Sequence, residues 1–503
     1  MWTRAVLGAT LALTCGPAAA QEPPLSAIDW LSQHTPTAAA PVIPPVPEPP
    51  VTTSGAVPGV AVTPLGTEAP RRVGLVPRAV TGLPPDLWTG AEGDASARQL
   101  AGLRVPSLPA AQSLLYTLLF NEADPPASGA DALILARIDT LMRLGALAPA
   151  LELARQAGPQ ESAALFARFF DAALLAEAED EACAILAAPQ PPAAPYPAQI
   201  FCAARGGDWA TAALLMGTAS AVGEISQGEA DRLARFLDPE LFEEEPDLPP
   251  PARPDPLAAR LLEAVGTPVA TATWPRVYAH LDLRDVAGWK AQLAAAERLA
   301  ETGALDANRL LGIFTERRPA ASGGIWDRVQ AIQRLDTALR TGSREAVAKT
   351  LPAAWRAAKS ARLAVPLAGL FAEDVLRLSA GPDAAELVLL SPSYERAAEV
   401  APDAAPLALG IAAGDTASSP AEGPMRSALR AGFAGAAPDA AVLETARGGA
   451  LGPAILRTLT LLDQGARGDA TALATALATL RALGLEDTAR RAALQILLLD
   501  PSV

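Results

Sequence analysis

"DALILARIDTLMRLGALAPALELARQAG", residues Asp131 to Gly158, is the stretch on which the fold turns. Leu133, Ile134, Ala136, Ile138, Leu141 and Leu144 lie largely on one face of a helix. Gly145 ends that helix, because glycine takes a positive φ without a Cβ penalty. A second helix follows from about Pro149, whose fixed φ suits a first turn. So short a connection lays the two helices antiparallel.

The same helix–glycine–helix unit recurs along the chain. "IFCAARGGDWATAALLM" turns at Gly206-Gly207, "RLAETGALDANRLLGIF" at Gly303, "RTGSREAVAKTL" at Gly342 and "TLRALGLEDTARRAALQILL" at Gly484. Upstream, "LPAAQSLLYTLLF" places apolar residues at 111, 114, 115, 118 and 119, again one helical face. Leu473, Leu477 and Leu480 of "ATALATALATL" keep helical spacing, which makes them core residues despite a superficial likeness to antifreeze repeats. Half the residues are hydrophobic but only 4% are aromatic, which suits thin, closely packed helices better than a sandwich of sheets. The predicted fold is all-α: an α-solenoid of antiparallel helix pairs in two blocks, preceded by a disordered proline-rich segment. No 34-residue period holds throughout, so the likeness to TPR or Sel1-type repeats is architectural.

Boundaries follow from composition. Residues 1–20 read as a signal peptide: Arg4, an apolar run from Ala5 to Leu13, then Ala18-Ala19-Ala20 with cleavage expected after Ala20. The run is too short to span a bilayer, and Thr14 before Cys15 fits a lipidation site poorly. Residues 21–100 read as a disordered tether, since six of the ten residues in "PVIPPVPEPP" (41–50) are proline. Within it "LPPDLWTG" stands out, and Leu87 and Trp88 are expected to dock as a short anchor. Blocks are predicted over 101–242 and 257–503, separated by an acidic, proline-rich linker at 243–256. An exported chain rich in Ala, Arg and Pro points to the periplasm of a bacterium with a GC-rich genome.

A net charge of −15 argues against nucleic acid, whose phosphates need a basic face, and against anionic lipid. No later segment reads as an integral membrane span. With the leader removed, Cys183 and Cys202 remain, each a few residues from the prolines 189 and 197 that bound a bend. If the flanking helices fold back on each other, the two sulfurs come level, and one disulfide is predicted.

Material for chemistry is thin. His34 falls in the tether, and His280 stands with Asp282 and Asp285 in "HLDLRD". That cluster reads as a turn and N-cap before "VAGWKAQLAAAERLAE" rather than a carboxylate–imidazole site. Glu243, Glu244 and Glu245 lack the alternating oxygen ligands of a calcium loop. Glu161-Ser162 matches a dipeptide of soluble lytic transglycosylases, but the companion Gly-Leu-Met-Gln-like sequence is missing and the stretch reads as a helix entry. No phosphate loop, nucleophile elbow or dinucleotide fingerprint occurs, so no catalytic, metal or cofactor residues are assigned and no cofactor is expected. Trp274, Trp289, Trp326 and Trp355 are core anchors or the lining of a groove.

"VPSLPAAQSLLYTLL", the Cys183/Cys202 block and "QLAAAERLAETGAL" resemble exported helical-repeat proteins of alphaproteobacteria, a likeness that carries no activity with it. The reading is a periplasmic, non-enzymatic scaffold or adaptor that binds protein partners in an envelope or motility complex. The alternatives are a peptidoglycan-acting enzyme or its regulator, which needs two carboxylates in one concave pocket, and a small-ligand-binding protein, which needs an apolar pocket with a few convergent polar groups.

Overall fold

A computed structural model describes residues 72–378, 381–402 and 405–500. The expected signal peptide, the proline run at 41–50, Cys15 and His34 lie outside the described residues. Within them the chain is helical and holds no strand, only two isolated β-bridges, Val73 to Ala123 and Val76 to Asn121.

Successive helices pack as antiparallel neighbours, as the glycine turns require. Ala130–Leu144 pairs with Leu147–Ala157, Tyr196–Arg205 with Trp209–Val222, Ile325–Thr341 with Arg344–Ser360, and Leu451–Ala466 with Ala470–Ala482. Gly145 takes φ 86° and returns its amide to the last turn of the helix before it. In the Gly206-Gly207 turn only the second glycine needs the left-handed region, with φ 80°. Helix starts are marked by short oxygen-bearing side chains that accept an otherwise orphaned amide. Ser162 caps Ala163–Leu175, Asp208 caps Trp209–Val222, and Ser226 with Glu229 forms a reciprocal capping box on Gln227–Leu237. Leu473, Leu477 and Leu480 are fully buried, as their spacing predicts.

The tether does not extend to residue 100. From Arg72 onward the chain is packed. Leu83, Leu87 and Trp88 are buried, and Gly93–Gly102 is a helix lying against Ala130–Leu144. Two devices order this strap. Arg137, only 3% exposed, donates to the Leu119, Asn121 and Val73 carbonyls, so one guanidinium caps the end of Pro109–Phe120 and ties the strap to it. Burial lowers its pKa to about 10, so it is still charged at neutral pH. The indole of Trp88 lies flat on Gly452, where a Cβ would meet ring carbons at 2.5 Å. Backbone bonds flank it: Gly452 N to Leu87 O at 2.9 Å and Gly90 N to Gly449 O at 3.1 Å.

The first helices thus meet the last ones. Pro109–Phe120 packs against Glu486–Leu499, where Gln495 Oε1 accepts the Ala110 amide at 2.9 Å. Gln99 Nε2 reaches the Pro453 carbonyl at 3.1 Å. The stack is closed on itself by these contacts.

Nor is 243–256 a boundary between two separate blocks. One buried apolar cluster runs from Val73 to Ile496, and the described residues belong to one compact unit. The acidic prolines make an exposed loop, but Pro256–Ala264 folds straight back onto Ala163–Leu175 and Gln227–Leu237. Thr302 Oγ1 donates to Leu144 O at 2.7 Å, a second link across the predicted division. A solvated linker sequence predicts where the chain is exposed, not whether the cores on either side are shared.

Candidate functional site

Each residue singled out by sequence has a definite place. The Cys183 and Cys202 sulfurs sit at disulfide-bonding distance with Cα atoms 5.0 Å apart, joining Glu179–Leu186 to Tyr196–Arg205. The His280, Asp282 and Asp285 cluster is dispersed. His280 Nε2 lies 2.8 Å from the Gly145 carbonyl, and since a carbonyl only accepts, that nitrogen carries the proton. Burial lowers the imidazole pKa, the Gly145 bond opposes this, and Arg309 adds to the lowering. Asp282 accepts from the Thr271 hydroxyl. Asp285 is not the expected N-cap: the next helix begins at Trp289 with Gly288 before it and no side-chain cap. Two turn residues and Gly288 intervene because Val286 and Ala287 continue the loop.

Ser162 accepts the Leu165 amide at 3.2 Å, so Glu161-Ser162 is a helix entry. Glu243, Glu244 and Glu245 are exposed, and Glu245 is held by Arg235. Trp289 and Trp355 are buried; Trp274 and Trp326 are half-buried and packed on the core. Trp289 donates to the Ile313 carbonyl at 3.0 Å and stands 5.3 Å from the Trp326 ring, while Trp274 meets Tyr278 edge-on. These tryptophans are anchors between helices.

Asp285 instead rims a depression of about 460 Å³ with Glu177, Arg260, Glu263 and Arg284. Arg284 bridges two carboxylates, Glu177 at 3.0 Å and Glu263 at 2.6 Å. Arg260 reaches Glu179, which is 3% exposed, at 2.8 Å. Two carboxylates do share a concave site, but a guanidinium lies between them. Both carboxylates are thereby engaged by Arg284. The arrangement fastens 177–179 to 260–284.

A feature not singled out by sequence is the Trp209–Val222 helix, "WATAALLMGTASAV". It carries no charge, and its apolar residues are spread all round it. Such a helix is ordinarily buried on every side. Here only Ala212 and Ala219 are buried, against Tyr196–Arg205. Trp209 is 52% exposed, Leu214 71% and Val222 61%. The outer face is Ala210, Ala213, Leu214, Gly217 and Ala221, all exposed and at helical spacing. Small residues around a single leucine make a shallow surface on which a second helix can lie close. Asp208 fixes the start of this helix by accepting the Thr211 hydroxyl at 2.7 Å and amide at 3.0 Å, which holds its carboxyl below the usual range. The signal in the sequence was the absence of any charge through 14 residues.

The fold and this face define a closed all-helical stack with an apolar helix whose outer face the other described residues leave uncovered. Among the described residues no helix is long and apolar enough to cross a membrane. No protein-family model, no curated protein and no solved structure matches the chain.

Proposed function

We propose that the chain is a non-enzymatic scaffold or adaptor of the bacterial periplasm that docks an envelope protein on the outer face of Trp209–Val222. The observation that carries this reading is the exposure of Leu214, Trp209 and Val222 on one uncharged helix, which holds three of the six exposed large apolar side chains among the described residues. Contiguous exposed apolar surface on a folded protein marks an interaction site. An aromatic at the edge of such a patch is the usual anchor of an interface. The helix is braced for the role. The Cys183–Cys202 link and the Arg205 pairs with Asp180 and Glu179 hold the helix beneath it, so docking costs little ordering. The leader-like residues 1–20 and the cysteine pair support an exported location, where a disulfide persists.

The test is a photo-crosslinking residue placed at 214 and, separately, at the exposed position 349 on Arg344–Ser360, in intact cells. The reading expects a discrete adduct from 214 that is absent from 349 and is lost when Trp209→Glu is added. No adduct from 214, or the same adducts from both positions, refutes it. The peptidoglycan-acting alternative has two carboxylates in one depression in its favour, and zymography on peptidoglycan separates it; clearing that depends on Glu177 and Glu263 would replace the scaffold reading.

A further inference from the structure

Where the two ends of the stack meet they enclose a cavity of about 570 Å³, inside the range of roughly 300–1,000 Å³ typical of small-molecule sites. Its walls come from four separated stretches: 105–112, 276–302, 359–365 and 466–500. Its apolar lining includes Val105, Leu108, Val365, Ile496 and Leu499. Arg276, Lys359 and Arg362 also line it with Glu301 and Asp500, and Lys359 pairs with Glu386 at 2.9 Å.

Two donors on the lining are unspent. Gln495 is 3% exposed; its Oε1 is occupied by the Ala110 amide, while its Nε2 makes no hydrogen bond. Arg276 gives Nη2 to Glu301 at 2.9 Å, but its Nε is buried without a partner. A buried donor left unpaired in a native structure calls for an explanation. Arg362 adds a third sign. It sits at φ 57° in a turn where glycine would be unstrained, and it pairs with Glu301 at 2.8 Å on the cavity wall. Backbone strain of this kind gathers at ligand sites.

We infer that this cavity binds a small amphipathic organic acid, its carboxylate received by Gln495 Nε2 and Arg276 and its apolar body lying along Val105, Val365 and Ile496. A carboxylate is an acceptor-only group that Gln495 Nε2 can bond, and a guanidinium–carboxylate bond is among the stronger ones. Because the walls belong to both ends of the stack, a bound acid would also tighten the closure. The site is independent of the face on Trp209–Val222.

The test uses octanoate, with octanol and octylamine as equal-length controls, by calorimetry and thermal unfolding of the full mature chain. Octanoate is expected to bind saturably and raise Tm, at least tenfold more tightly than either control. Gln495→Glu keeps the acceptor for the Ala110 amide and replaces the donor with negative charge; it should weaken octanoate at least tenfold. Val365→Trp, which fills the cavity from its rim, should abolish binding while circular dichroism stays native. Equal binding of octanoate and octanol, or no binding by the wild-type chain, overturns the assignment. So does octanoate affinity unchanged in a natively folded Gln495→Glu or Val365→Trp chain.

Discussion

Two tryptophans divide this molecule. Trp88 belongs to a short, proline-flanked stretch with little periodicity, and it is 1% exposed. Trp209 opens a helix that is apolar on every side, and it is 52% exposed. Local hydrophobicity ranks the two regions in the wrong order. What decides burial is whether a complementary surface exists elsewhere in the chain. Gly452 leaves a recess that an indole fills, whereas the described residues leave the outer face of Trp209–Val222 uncovered. A segment poor in apolar residues can therefore be core, and a rich one can be surface held for a partner.

The sharpest way to break this contrast is to empty the recess. Trp88→Ala should cost about 3–5 kcal/mol, and hydrogen exchange should show protection lost together in Gly93–Gly102 and Leu451–Ala466, the helices the strap joins. Trp88→Phe should cost much less, since the buried indole Nε1 has no partner to lose. If Trp88→Ala left exchange in Leu451–Ala466 unchanged, the strap would not be what closes the stack. Next come the braces on the two regions. Replacing Cys183 and Cys202 with serine removes a link across 19 residues and should cost about 3 kcal/mol by chain entropy, with exchange rising first in Tyr196–Arg205 and Trp209–Val222. Arg137→Met strips the strap of its carbonyl cap and should cost about 2–3 kcal/mol, a range set by charged hydrogen bonds.

On the exposed side the expected effects are small. Trp209→Ala should change stability by no more than about 0.5 kcal/mol, as surface substitutions do. A cost near that of Trp88→Ala would mean that Trp209 packs in the free protein after all. The slightest effect is on pH dependence. His280 has a folded pKa below its unfolded value near 6.5, so the unfolded chain binds the extra proton. Its contribution is complete above about pH 6.5 and is lost as pH falls through the unfolded value toward the folded one. His280→Gln, which keeps a donor for the Gly145 carbonyl, should flatten denaturant midpoints measured from pH 7.5 to 5.5. An unchanged slope would show that the imidazole is not held neutral.

Some of this was legible beforehand. The Asp131–Gly158 pair, the left-handed turns at Gly145, Gly303, Gly342 and Gly484, and the Cys183–Cys202 pairing all depend on residues close in the chain. The closure was not, because its bonds join residues 354 and 385 apart, Gln99 to Pro453 and Ala110 to Gln495. The linker at 243–256 misled for the same reason: exposure of a loop is local, but sharing of a core is not. The cavity was invisible because its four walls have no common motif, and the outer face of Trp209–Val222 showed only as an uncharged run that core burial would equally explain.

The sequence by itself determined the helices, their turns, the staple between two of them and the scarcity of groups able to do chemistry. Those are properties of nearest neighbours, set by φ, side-chain spacing and residue inventory. Only the tertiary structure decided that Val73, Leu83, Leu87 and Trp88 join the core, that the stack closes, and that the described residues leave the outer face of one apolar helix bare. Each of those is a choice among competing contacts, and the surface that wins can lie anywhere along the chain.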